Sequence, residues 1–455
     1  MSQGFLDYYR CPASFGNFVV APDLSDKPEF FRFGADVLCY GSYSANSAAL
    51  VGTSVYDALP NVASEGTSVR LPFDPSEIVE NLRRERYVSN PHNGHRQISH
   101  RGILGKAYRH LRPALPVAVR KHLQRLYLRD WERLSFPKWP VDRTVDSIFA
   151  NLLRLALRSH TEIPFIWFWP DGARSCAILT HDVETLAGRD FCSQLMDLDD
   201  SVGIKSAFQI VPETRYPVPR NFLDSLRERG FEVNVHDLTH DGQLFATRET
   251  FLHLADRINE YGKEFGAIGF RSGVLYRNAD WLHALDFAYD MSVPNVGHLE
   301  PQRGGCCTVL PFFIDHLLEL PVTTTQDYSL FHILKNYSID LWKRQLSLIG
   351  EQHGMASFIV HPDYVIERRA RATYQALLAY LARCRSDSGL WIALPREVND
   401  WWRARHQMEL VADGERWHIT GDGKERARVA FASLDGDRLV FTIEQPNMSR
   451  ALEMA

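Results

Sequence analysis

The chain lacks any apolar run of the roughly 18 residues that a bilayer-spanning helix requires, which argues against a helical membrane protein. Its first residues, MSQGFLDYYRCPASFGNF, have neither a basic n-region nor an apolar h-region. No secretory signal is therefore expected, and the expected location is cytoplasmic. Cysteine is scarce: seven in 455 residues, an odd number with no Cys-x-x-Cys pair. That pattern excludes a disulfide framework and a thiolate zinc site, and it predicts reduced thiols. Adjacent Cys306 and Cys307 are poor partners for each other. Neither sign of charge dominates, with 51 Lys plus Arg against 56 Asp plus Glu for a net −5, so whole-surface nucleic-acid binding is not favoured. No internal repeat or low-complexity linker occurs. What remains is ordinary globular composition, 45% hydrophobic and 12% aromatic, long enough for two to four domains.

Three regions differ in pattern. Residues 1–150 mix short apolar stretches with polar turns and read as an α+β accessory region. One helix start is clear there: Asp74 caps, Pro75 suits the first turn, and Glu77 completes an arrangement like a capping box. Residues 101–138 carry ten Lys or Arg against only Asp130 and Glu132. Part of this stretch, VAVRKHLQRLYLRDWERL, reads as a basic amphipathic helix. It is either a solvated face packed on its neighbours or a peripheral contact for an anionic membrane or polymer. Residues 151–405 alternate strand and helix. The candidate strands are CAILT, SAFQIV, FEVNV, AIGF, YDMSV, LELPVT, SFIV and WIAL. Such repetition implies parallel strands with crossover helices, and seven or eight units fit a complete or distorted (β/α) barrel, with an open doubly wound sheet as the alternative. Residues 406–455 read as a small four-stranded antiparallel β module punctuated by Asp413-Gly414, Asp422-Gly423 and Asp435-Gly436.

The reactive side chains fall at strand ends. Asp182 and Glu184 follow CAILT, and His236 and His240 follow FEVNV. Arg271 follows AIGF, Asp327 lies just after LELPVT, and His361 follows SFIV. In parallel βα folds the strand C-termini share one face, where the loops build the active site. His236 and His240 stand at i, i+4, a spacing that on a helical turn puts both rings on one side. Two imidazoles and a carboxylate suit a divalent ion such as Zn²⁺ with positions left open.

These motifs together resemble the polysaccharide deacetylase (NodB homology, carbohydrate esterase family 4-like) superfamily over about residues 172–400. Thr180-His181-Asp182-Val183-Glu184 stands where that superfamily has TFDDG, His236-Asp237-Leu238-Thr239-His240 matches its HSxxH-like motif, and Arg271 and His361 match its later ones. The resemblance implies a metal-dependent hydrolase that removes N-acetyl groups from a carbohydrate. It implies Asp182 as catalytic base, Glu184, His236 and His240 as metal ligands, and Arg271 as the arginine holding the base. His361 matches the general acid, and Asp327 corresponds to the acid that tunes it. Two departures stand out. Glu replaces Asp at 184, which leaves open that Asp182 is the ligand and the base is another group. The third motif reads Arg-Ser-Gly-Val rather than Arg-x-Pro-Tyr, so the substrate wall differs, while a backbone amide near Val274 still offers an oxyanion contact.

With no export signal expected, the implied substrate is a lipid-linked or nucleotide-linked precursor, or a polysaccharide, in envelope or exopolysaccharide synthesis. Two rivals stand beside this reading: a hydrolase of non-sugar linear amides on the same fold, and a carbohydrate-binding protein with a degenerate site. Asp237 and Asp241 are either acceptors that orient the two histidines or plain loop residues. Trp167 and Trp169 either stack on sugar rings or pack in a core, and Trp401 and Trp402 read as packing.

Overall fold

The computed structural model describes residues 3–44, 55–66, 68–89, 126–414 and 416–444. Residues 101–125 of the basic segment lie outside them. In the rest of that segment, a helical turn at 126–128 precedes a 3₁₀ turn at Trp131–Arg133, and Arg129 and Arg133 flank Asp130 at 3.9 and 3.8 Å. Two compact units are present, one built from residues 1–81, 144–173 and 400–455, the other from 82–143 and 174–399. Among the described residues no helix is long and apolar enough to cross a membrane.

In the first unit the expected cap forms only in part. Asp74 Oδ1 accepts from the Ser76 amide at 2.8 Å, but Glu77 turns to the Ser42 amide at 3.1 Å. All four C-terminal strands exist, yet they make two separate hairpins: Glu409–Asp413 with Arg416–Thr420, and Val429–Asp435 with Arg438–Ile443. The second hairpin gains an antiparallel third strand, Glu162–Ile166. Arg405 is buried and donates to the carbonyls of Tyr8, Tyr9, Ile166 and Trp167 at 2.7–3.2 Å, with Phe168 and Trp402 rings 5.2 Å from its guanidinium. Trp167, Trp169, Trp401 and Trp402 are all buried, with Trp169 tilted on Trp402 at 5.4 Å. They are core residues of this unit, so the sugar-stacking alternative for Trp167 and Trp169 falls.

The second unit carries a nine-stranded, mostly parallel sheet that curls as a distorted (β/α) barrel. Its strands are β1 (Ser175–Val183), β2 (Ala207–Ile210), β3 (Glu232–His236), β4 (Gly269–Arg271) and β5 (Tyr289–Asp290), followed by β6 (Phe312–Ile314), β7 (Leu317–Glu319), β8 (Met355–Ile359) and β9 (Leu390–Ile392). The order is β6-β7-β5-β4-β3-β2-β1-β8, and β9 also pairs with the start of β1. Every strand expected from the sequence is present. The addition is β6, antiparallel to β7 across a turn at Asp315 with φ 54°. Beyond β7 the chain meets β8 through side chains: Thr323 and Thr324 hydroxyls donate to the Met355 and Ser357 carbonyls at 2.7 Å.

Alternation sorts the strand residues. Ala177, Leu179 and Val183 join Phe208, Ile210, Val233, Val235 and Phe270 in one apolar core against the helices. Those helices include Leu186–Asp200, Arg220–Glu228, Arg248–Phe265 and Arg368–Asp387. Their ends follow local rules. Thr185, Thr247 and Glu367 side chains cap three N-termini, and Gly266 at φ 58° ends Arg248–Phe265.

The opposite parity carries Thr180, Asp182, Asn234, His236 and Arg271. Beneath them the Tyr289 ring lies where a Cβ on Gly269 would fall, 2.2 Å from ring carbon Cε2, and its hydroxyl donates to Glu232. Only glycine leaves that room. Gly269→Ala should therefore destabilise the protein by about 1–3 kcal/mol, the usual cost of overpacking, seen as a lower urea midpoint. An unchanged midpoint would contradict this packing.

Candidate metal and acid–base site

β1 runs three residues beyond its pairing with β8, and its last residues lie beside β2. Asp182 therefore emerges at the strand end with Glu184 just past it. His236 ends β3 and Arg271 ends β4, directly in register with each other. Asp327 follows the threonine segment that lines β8, and His361 follows β8 itself. All seven residues singled out from the sequence meet at this rim.

Arg271 is fully buried. Its Nη1 donates to Asp182 Oδ1 and to Thr180 Oγ1, both at 2.7 Å, and its Nε donates to the Met291 carbonyl at 3.0 Å. Burial alone would push the Asp182 carboxyl up, but Arg271, then His236 and His361, outweigh it and hold it below the usual range. Asp182 Oδ2 faces His236 Nε2 at 3.7 Å. Glu184 Oε1 lies 2.9 Å from His240 Nε2, 3.3 Å from His361 Nε2 and 3.7 Å from His236 Nε2. Burial raises Glu184 too, and His240 and His361 more than offset it, so it sits well below the usual range. His361 is held at its other end: Nδ1 donates to Asp327 Oδ1 at 2.6 Å, and its backbone amide donates to Oδ2 at 2.8 Å. Burial would lower its pKa, but Asp327 and Glu184 drive it well above the ordinary value. Tyr364 stacks on the imidazole face at 4.7 Å.

The histidine pair does not sit on a helical turn. His236 is in β3, and Asp237 and His240 adopt left-handed backbones at φ 56° and 54° that fold an irregular loop back on the strand end. The two ring centroids still come within 4.9 Å. Asp237 Oδ2 accepts from the Gly273 amide at 3.0 Å and Oδ1 from the Leu238 amide at 2.6 Å, tying the histidine loop to the segment after Arg271. Asp241 accepts from the Gln243 amide. In the third motif Val274 stands at φ 61°, a costly conformation for a β-branched residue. Gly273 is required beside it, because a Cβ there would meet Asp237 Oδ2 at 2.4 Å.

The donor set fits a divalent ion. Glu184, His236 and His240 each offer one atom, all within 4.8 Å of one another. His236 and His240 present buried Nε2 atoms that make no hydrogen bond. His236 Nδ1 donates to the Arg271 carbonyl at 3.1 Å, which in the neutral ring leaves Nε2 with its lone pair. Asp182, Glu184 and His361 form a second, overlapping group.

Sequence reasoning missed Arg215, 3.2 Å from His240 Nδ1, because it lies on a loop with no motif around it. It also missed Glu300, buried and bonded to Gln326, the residue before Asp327, at 2.6 Å. Cys306 and Cys307 are buried free thiols, pushed up by burial, and take no part in the rim.

No family model matches the chain, and no curated protein matches it. Among solved structures it is similar to a Mycobacterium smegmatis protein assigned to the polysaccharide deacetylases, at 17% identity over 55% of this chain and 98% of that one, with a TM-score of 0.43. It is also similar to an allantoinase, at 15% identity over 52% and 92% with a TM-score of 0.40. A third match is the Bacillus subtilis peptidoglycan deacetylase PdaC, at 11% identity over 51% and 93% with a TM-score of 0.33.

Two outcomes follow from these contacts. Asp237→Ala strands two buried amides, so it should cost about 1–3 kcal/mol and speed hydrogen exchange at the Gly273 amide. Burial raises the Glu300 carboxyl to about 7, so its favourable contribution is complete below its ordinary value and is lost as pH rises through about 7. The unfolding free energy of wild type relative to Glu300→Gln should therefore fall from about pH 4.5 to about pH 7 and level off above that. A flat difference would count against the buried carboxyl.

Proposed function

We propose that this protein is a metal-dependent hydrolase that removes N-acetyl groups from a carbohydrate. The observation that carries the reading is the division of labour at the rim. One carboxylate, Asp182, is clamped by Arg271. A second, Glu184, faces two histidines whose inward nitrogens make no hydrogen bond. A third group, His361, is held by Asp327 through its Nδ1. Glu184, His236 and His240 are the proposed ligands, and zinc is the proposed ion. When bound, the ion would polarise the amide carbonyl and acidify a water molecule.

The protein groups account for the proton transfers. Arg271 occupies Asp182 Oδ1, which leaves Oδ2 to take a proton from the attacking water. The developing oxyanion is assigned to a backbone amide near Val274. The departing amine is too basic to leave as an anion. His361 gives it the Nε2 proton, while Asp327 at Nδ1 stabilises the imidazolium beforehand and fixes the ring's aim. Water and the acetamide thus become acetate and a free amino sugar. The substrate class is an N-acetylated sugar, free in a polymer or linked to a lipid or nucleotide.

Asp182→Asn should keep the metal content of the wild type yet lower turnover by about 10²–10⁴-fold. Glu184→Gln and the His236→Ala/His240→Ala pair should lose the metal. Loss of metal in Asp182→Asn with retention in Glu184→Gln would reverse the two acids. Acetate release from N-acetylated sugars is the expected activity, and ammonia release from small amides in its place would overturn the substrate class.

A further inference from the structure

We infer that Arg215 competes with a metal ion for His240, so that this loop arginine sets how tightly the site holds its ion. The inference rests on the metal-site reading above. The contact is built by the backbone, not by one side chain. Three successive residues of the loop after β2 meet three successive residues of the histidine loop, one to one. The Glu213 amide donates to the Leu238 carbonyl at 3.1 Å, the Thr214 hydroxyl to the Thr239 carbonyl at 3.4 Å, and Arg215 Nη2 to His240 Nδ1 at 3.2 Å. Thr214 takes a left-handed φ of 66°, and the Arg215 amide turns back onto the Glu213 carbonyl at 2.8 Å.

A guanidinium can only donate, so the His240 Nδ1 facing it must accept. In a neutral imidazole the proton then sits on Nε2, the atom that faces Glu184. A ligand histidine needs the reverse arrangement, with Nε2 bare and Nδ1–H given to a carbonyl or carboxylate. His236 has that arrangement through the Arg271 carbonyl. His240 does not, and its Nε2, although 2.9 Å from Glu184 Oε1, is off the line of a hydrogen bond. The two histidines are therefore unequal. One is preset as a ligand, and the other is claimed by Arg215 until an ion displaces it. Arg215 is solvent-exposed, so it has room to leave.

Zinc titration of the full chain by calorimetry tests this. Arg215→Met removes the donor and should tighten binding about tenfold or more, and Arg215→Glu, which supplies an acceptor, should tighten it further. Arg189→Met is the charge control, because Arg189 donates to Pro217 of the same loop. It should leave the affinity near that of wild type. Nitrogen NMR of the metal-free imidazoles should find His240 protonated at Nε2 and His236 at Nδ1. Zinc binding that ignores residue 215, equal tightening by Arg189→Met, or Nδ1 protonation of His240 would each overturn the proposal and leave the deacetylase reading standing. No zinc binding by any variant would sink both.

Discussion

The buried guanidinium of Arg271 joins three strands at the point where the rim begins. It reaches Asp182 and Thr180 on β1 and the Met291 carbonyl just beyond β5, while its own carbonyl holds His236 at the end of β3. A cation removed from water is costly unless its donors are met, and a buried carboxylate is costly for the same reason. Each of the two offsets part of the other's penalty, and only while the strands stay in register; Arg271 Nη2 makes no hydrogen bond. The pair is thus an electrostatic condition on the sheet as well as a part of the site. Removing either member would leave an uncompensated charge inside the barrel.

Around that pair the backbone departs from regular structure. Asp237, His240 and Val274 all take left-handed conformations that side chains ordinarily avoid. Asp237 holds two of these segments together by accepting from the Gly273 and Leu238 amides. The strain is local and lies where the loops must turn sharply enough to bring side chains of different strands onto one point. The adjacent loop at 213–215 follows the same course, and it delivers a cation to one of the two histidines. The result is a histidine pair that is symmetric in sequence and asymmetric in hydrogen bonding.

Much of the barrel was legible beforehand because its strands are short apolar runs separated by amphipathic helices, and parallel strands leave few ways to connect them. β6 was not legible. It is three residues long, and its turn at Asp315 carries no Asn-Gly or Asp-Gly signal. The histidine pair was legible as a pair, but its local structure was not. The i, i+4 spacing suggested a helical turn; Asp and His tolerate the left-handed backbone better than most residues, but nothing local marks these two as adopting it. The four C-terminal strands were equally visible, whereas their pairing into two hairpins, one joined by Glu162–Ile166, depends on a partner more than 260 residues away.

The order of strands and helices, and the placing of acids, histidines and an arginine just past strand ends, were determined by the sequence itself, because side-chain periodicity and turn chemistry act over a few residues. Tertiary structure alone decided which atom of each group faces which other. Asp182 and Glu184 are two positions apart and chemically alike, yet one meets Arg271 and the other meets three imidazoles. That difference comes from strands far apart in the chain, and a local pattern carries no record of it.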